Sequence, residues 1–297
     1  TRFDVTDLHK IFPRPLYHTY LAHVRYTTKG RKDKILEEAH PHVIGGTIDD
    51  RIDHIIISDC EAAIVHNGQI DKKFLSGIDE SALKTQCDTE ALLHFFQQYG
   101  EQELLRKIPG AYTLAIADKR RKGVVVVRDR HGIRPGYLGT KDGTVCVASE
   151  NVAFRTTGVS LIGDLIPGSI YYLMPDGSFT KEKVISPELR RCFFEWNYIA
   201  HQNSLIDKGH VRVIREMLGE KLVEEFHPDD IDFVTFIPRC PEVAAKSYAE
   251  KRGIPFLEIF YKMREERSFQ GPNNEERSNS IKKNLHLLPN VINSIRN

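Results

Sequence analysis

"AAIVHNGQI", residues Ala62 to Ile70, decides how the first part of the chain folds. Its apolar run is too short for a buried helix and is closed by polar, turn-forming residues, which is the pattern of a strand covered on both faces. Working outward, "HIIIS", "GAYTLAIAD", "GVVVVRD", "TVCVASE" and "GSIYYLMPDG" repeat it between Ile55 and Ile185, each bounded by Gly, Pro or Asp. Several are apolar at successive positions instead of alternating, so each face of the sheet must meet a helix or a second sheet. A layered sandwich with helices outside is expected. "DTEALLHFFQQYG" interrupts the strands with a helical stripe of Ala91, Leu92, Phe95, Phe96 and Tyr99 that is expected to stop at Gly100, with Asp88 at or beside the N-cap.

After Ile185 the period changes. "VRVIREMLGEKLVEEF" places Val211, Ile214, Leu218 and Leu222 at helical spacing, "DFVTFIP" reads as a buried strand, and "PEVAAKSYAEKRG" as a helix running from a proline to Gly253. With the strand-like "PFLEIFY" these make the start of an α/β unit with a parallel sheet. The expected division is 1–190 and 191–297. Beyond Lys262, "MREERSFQGPNNEERSNSIKKN" is polar and weakly periodic, and reads as a mobile loop.

Lys plus Arg (42) and Asp plus Glu (41) nearly cancel, so no global field draws the chain to nucleic acid. No apolar run reaches the ~20 residues that cross a bilayer, and no membrane association is expected. The five cysteines, Cys60, Cys87, Cys146, Cys192 and Cys240, form no C-x-x-C pair. They read as reduced and packed, with Cys60 at a strand end in the core, and their odd number points to the cytoplasm. His40 and His42 in "HPH" are two possible metal ligands without a third at recognisable spacing, and read as a solvated turn.

Three polar groups close apolar segments. Arg25 in "HVRY", at an expected strand end, has the fork that grips a carboxylate; the alternative is an exposed surface arginine. Asn67 and Gly68 in "HNG" can aim a side-chain amide and a backbone N–H at one developing oxyanion, or simply make a hairpin turn. Asp88 in "CDTE" can hold an ammonium, cap a helix, or do both. Carboxylate, amine and oxyanion partners together describe a pocket for free glutamine.

These motifs, with "IPGAYTLAIAD", "VVVRDRHGIRPGYLG", "VASE" and "CFFEWNYIAHQNSLID" in order, resemble the amidophosphoribosyltransferases. The resemblance continues through "DFVTFIP", "AEKRGIPF" and "KMREERSFQGP". It implies an αββα N-terminal-nucleophile glutaminase sandwich followed by the opening of a type I phosphoribosyltransferase α/β domain. It implies glutamine and phosphoribosyl pyrophosphate as substrates, ammonia passed between the two sites, and phosphoribosylamine as product in purine biosynthesis. By the same resemblance Arg25 and Asp88 bind glutamine, Asn67 and Gly68 form the oxyanion hole, and Tyr26 belongs to a segment that reorganises when the sites couple. Lys262, Arg264 and Arg267 match a cationic loop closing over the phosphoribosyl donor. Mg2+ is expected with that donor, and a homo-oligomer is expected.

The departures are specific. The family nucleophile is an N-terminal cysteine followed by glycine, whereas "TRFD" at Thr1 resembles a region just upstream of "HVRY", so the nucleophile segment has no counterpart in these residues. The acidic, small-residue turn that holds ribose and pyrophosphate has none after Lys283; Asp229 and Asp230 precede their expected strand. "AHQNS" and "RCPEV" replace family motifs, and Cys192 matches one ligand of an iron–sulfur cluster that a single cysteine cannot hold. Two other readings follow: a non-catalytic paralogue that binds glutamine or a partner, and a hydrolase whose nucleophile is Thr1.

Overall fold

A computed structural model of the chain describes residues 18–24, 37–50, 55–263, 273–289 and 291. It divides into two compact units, Thr1–Arg191 and Cys192–Asn297.

In the first unit the strands are β1 (His42–Ile44), β2 (Thr47–Asp50), β3 (Ile55–Ser58), β4 (Ala62–Gln69), β5 (Ala111–Asp118) and β6 (Val124–Arg128). They are followed by β7 (Tyr137–Lys141), β8 (Thr144–Ala148), β9 (Ser160–Asp164), β10 (Ser169–Leu173) and β11 (Phe179–Lys183). Six form one antiparallel sheet in the order β1-β4-β5-β6-β10-β11, and three form a second in the order β8-β7-β9. Among the described residues β2 and β3 pair only with each other.

"VVVV" in β6 shows why the sheet needs two covers. Successive side chains point to opposite faces, so Val125 and Val127 join Ile64, Leu114, Ile116 and the helix α1 (Asp88–Lys107), whose Leu92, Leu93, Phe95, Phe96 and Leu104 are buried on them. Val124 and Val126 join Leu138 of β7, with Val145 and Val147 of β8 packed alongside. The outer face of the second sheet is covered by a short helix, α2 (Val152–Thr157). A Cβ on Gly139, next to Leu138 and therefore on the opposite face, would lie 2.9 Å from the Phe154 ring.

Gly100 breaks α1 as its sequence requires, with φ 79 and ψ 174, but helix resumes directly and runs to Lys107. The stripe is buried from Ala91 to Phe96, while Tyr99 is 37% exposed. Cys87, not Asp88, is the N-cap residue, and no side chain caps this end.

The second unit holds a small hairpin, β12 (Leu205–Ile206) and β13 (Gly209–His210), then α3 (Val211–Glu225) and α4 (Glu242–Arg252). The two helices touch backbone to backbone at Gly219, where a Cβ would stand 2.1 Å from the Ala244 carbonyl oxygen. The expected strand "DFVTFIP" is reduced to one parallel bridge, Val234 to Phe256. Val234 N–H donates to Pro255 O at 2.9 Å and its carbonyl accepts from Leu257 N–H at 2.9 Å. Without a further strand on either side, the ladder does not propagate among the described residues.

Two expectations for the C-terminal segment are corrected. Lys262 is not in a loop: it ends β14 (Phe260–Lys262), which pairs with β15 (Leu285–Leu287). Half of the supposed mobile stretch is the helix α5 (Asn274–Asn284), because Asn273 accepts the Glu276 N–H at 2.8 Å as an N-cap and Glu275 and Glu276 favour the helix start.

Candidate functional site

The site is the meeting of a strand end and a helix start. β4 lies between β1 and β5, and its alternation puts Ala62, Ile64 and His66 against α1 and Asn67 on the other face. The expected Asn-Gly hairpin turn is absent. Asn67 and Gly68 lie inside β4, opposite Thr113 and Tyr112 of β5, because the ladder runs on to Gln69 opposite Ala111. Gly68 is required there by close approach: a Cβ would stand 2.1 Å from the Ala111 carbonyl oxygen and 2.6 Å from His66 Nε2. Among the described residues the Asn67 side chain has no hydrogen-bond partner.

Asp88 is brought to this strand end by a hydrogen bond instead of a cap. Its Oδ2 accepts the Ile70 N–H at 2.8 Å, two residues beyond Gly68. The other oxygen, Oδ1, is 3.7 Å from Cys87 Sγ and 3.5 Å from Thr89 Oγ1. A carboxylate and an Asn-Gly strand end are thereby fixed to one another. Glu90, one turn into the helix, seals the loop before it by accepting Lys84 N–H at 2.8 Å, Thr85 N–H at 2.7 Å and the Thr85 hydroxyl at 2.7 Å. Burial raises the Glu90 carboxyl, but the Thr85 hydroxyl, these two N–H donors and the nearby His42 outweigh it and hold the group below its ordinary value.

Behind the strand end lies a histidine cluster that sequence spacing does not show. His66 is buried, with Nδ1 3.0 Å from Thr89 Oγ1, and that hydroxyl is 3.3 Å from His40 Nε2. The His66 N–H donates to His40 Nδ1 at 3.3 Å. His23 stacks on His40 with ring centres 4.1 Å apart, and His42 meets His40 edge-on at 5.2 Å. Burial lowers the His66 pKa to about 4; Asp88 opposes the shift, and His23, Arg134 and His42 add to it. The expected solvated turn at "HPH" is therefore corrected: His42 is buried and opens β1. Cys60 is half-buried two residues beyond β3, not in the core, with its thiol donating to Ile57 O at 3.4 Å.

Of the residues singled out from the sequence, the structure ties Asp88 to the β4 end two residues beyond Gly68, with the Asn67 side chain on the face of β4 opposite to α1. Arg25, Tyr26, Arg264 and Arg267, like Thr1, lie outside the described residues. Leu21–Val24, read as the strand leading to Arg25, has no regular structure, and Val24 is 96% exposed. Lys262 belongs to the second unit, where it ends β14. The histidines escaped because their ring contacts join residues from four separate stretches; the one local signal was "HPH".

Comparison with known proteins bears on the same segment. Residues 54–163 match the glutamine amidotransferase domain model, a span that includes Asn67, Gly68 and Asp88. The chain is similar to the amidophosphoribosyltransferase of Methanothermobacter thermautotrophicus, 29% identical over 90% of this chain and 56% of that protein. It is 30% identical to the Escherichia coli amidophosphoribosyltransferase over 90% of this chain and 56% of that protein. Among solved structures, the glutamine phosphoribosylpyrophosphate amidotransferase of B. subtilis complexed with ADP and GMP superposes with a TM-score of 0.70 at 25% identity, covering 91% of this chain and 58% of that one. The chain thus spans a little more than half the length of the relatives it matches. No helix among the described residues is long and apolar enough to cross a membrane.

Proposed function

Because the chain is a homologue of the amidophosphoribosyltransferases, we propose that its first unit is the glutamine-binding part of a glutamine-dependent amidotransferase. The observation that carries the reading is the 2.8 Å bond from Ile70 N–H to Asp88, which sets an amine acceptor beside the Asn67-Gly68 strand end inside the matched amidotransferase segment. In this reading the layers of the first unit form the αββα sandwich. Asp88 receives the α-ammonium of glutamine, Arg25 its carboxylate, and Tyr26 lies in the coupling segment.

The chemistry is acyl transfer. A nucleophile attacks the side-chain amide carbon, the carbonyl oxygen becomes an oxyanion, and the Asn67 amide and Gly68 N–H stabilise it where the charge develops. As the tetrahedral centre collapses the C–N bond breaks, the proton given up by the nucleophile goes to the leaving nitrogen as ammonia, and water then hydrolyses the acyl-enzyme to glutamate and restores the nucleophile. The attacking group is the N-terminal cysteine that the family resemblance implies; none of the five internal cysteines is assigned that role. In the whole protein the ammonia displaces pyrophosphate from phosphoribosyl pyrophosphate, giving phosphoribosylamine for purine biosynthesis. Residues 191–297 are then the opening of the phosphoribosyltransferase domain, with Lys262, Arg264 and Arg267 facing the donor. Magnesium would accompany that donor, but among the described residues of the second unit no group of three carboxylate, histidine or cysteine side chains converges on one point, so no step is derived through the ion.

The test is calorimetric titration of the chain with glutamine and with glutamate. Glutamine is expected to bind, and Asp88→Ala to weaken it tenfold or more, since an ammonium left without its carboxylate partner forfeits at least ~1.4 kcal/mol. Equal binding by the Ala variant would remove Asp88 from the site. Glutamine binding without ammonia release by the natural full-length protein would favour the non-catalytic paralogue.

A further inference from the structure

We propose that His40, His42 and Cys87 form a binding site for a borderline-soft divalent transition ion of the Zn2+ class. Each residue offers one ligand atom, and these three atoms all lie within 4.8 Å of one another. A tetrahedral ion with nitrogen at ~2.0–2.1 Å and sulfur at ~2.3 Å needs ligand separations of roughly 3.3–3.6 Å. The cluster therefore has to contract by about 1 Å, which is within the reach of side-chain torsions. Two imidazoles and a thiolate suit zinc or cobalt and not magnesium or calcium, which take oxygen ligands.

The frame that carries the ligands is fixed. His42 opens β1 opposite Ile64 of β4 and is buried. Cys87 is the N-cap residue of α1, with its own N–H donating to Thr85 Oγ1 at 3.1 Å. Thr89 Oγ1, 3.3 Å from His40 Nε2, supplies the outer contact that orients this imidazole, and Nδ1 takes the ion in exchange for its 3.3 Å bond from the His66 N–H. Three protein ligands leave a fourth position for water or for Asp88, whose Oδ1 is 3.7 Å from Cys87 Sγ. An ion at this site sits beside the proposed ammonium acceptor, but its own binding does not depend on the glutamine reading.

The experiment is titration of the chelator-treated, thiol-reduced chain with Co2+, followed by absorption and without glutamine. One equivalent is expected to bind with a thiolate-to-cobalt charge-transfer band and the visible intensity of a four-coordinate ion. Cys87→Ser is expected to abolish the charge-transfer band, and His42→Gln to weaken binding tenfold or more, both with unchanged far-ultraviolet circular dichroism. Absence of saturable binding, or a charge-transfer band that survives in Cys87→Ser, overturns the proposal. Cys87→Ser keeps it open to refutation if His42→Gln, at a buried position, fails to fold.

Discussion

Replacing Asp129 with alanine is expected to destabilise the first unit by about 3–5 kcal/mol, read as a lower urea midpoint of its unfolding transition. The carboxylate is buried and accepts three backbone N–H groups, from Tyr112 at 3.0 Å, His131 at 2.7 Å and Gly132 at 2.9 Å. Burial raises its pKa, and these three donors with Arg128 work against that rise. Alanine leaves the buried Tyr112 N–H and the part-buried His131 N–H unmatched, while Gly132 N–H keeps only its 3.3 Å contact with the residue 129 carbonyl, and a hydrogen bond to a charged group contributes about 1.5–3 kcal/mol. Asp129→Asn, which keeps the shape and one good acceptor, is expected to lose roughly half as much. The effect also reaches the site, since Tyr112 stands opposite Gly68 in the ladder. A midpoint for Asp129→Ala that matches the parent would contradict this account of the "RDRHG" turn.

The second large effect is acid sensitivity from His66. Its folded pKa is lowered from 6.5 to about 4, with burial as the largest cause. Below pH 6.5 the unfolded chain takes a proton that the folded chain refuses, so stability falls as pH falls, until the folded form also protonates near 4. The loss across that window is about 3 kcal/mol for this one group. In urea melts run with a chelator, His66→Gln is expected to flatten the slope between those limits. An unchanged slope in the variant would assign the acid sensitivity to other groups.

Much of the first unit was legible because its strands are doubly buried. Runs such as "VVVV" and "AYTLAIA" have no amphipathic face to confuse with a helix, and β4, β5, β6, β8 and β10 all fall within quoted runs. Strands with a mostly exposed burial pattern were harder. "FTKEK" in β11 lies at the sheet edge and carries three charged residues, a composition that gives no apolar signal. "SLIGD" in β9 has both Leu161 and Ile162 exposed and owes its place to pairing with β7.

The site was legible as residue types and illegible as geometry. Asn-Gly has a strong local preference for a hairpin turn, yet here eight register pairs with β5 hold it extended, so tertiary pairing overrides turn propensity. The sequence places Asp88 at or beside a helix start, able to hold an ammonium, cap the helix or do both, and it stands beside the N-cap residue. Its acceptor capacity is used by Ile70, a partner 18 positions away that no local rule names. In the second unit "DFVTFIP" had the composition of a buried strand, but composition does not supply the neighbour that a ladder requires.

The central claim is that the Gly68 strand end and the Asp88 helix start enclose one molecule of glutamine. It is tested most directly by amide correlation spectra of the 15N-labelled chain during a glutamine titration. The account predicts that the Gly68 and Ile70 amide signals move together and saturate, that glutamate moves them far less, and that Asp88→Ala abolishes the movement. Saturating glutamine that leaves both amides in place would contradict it.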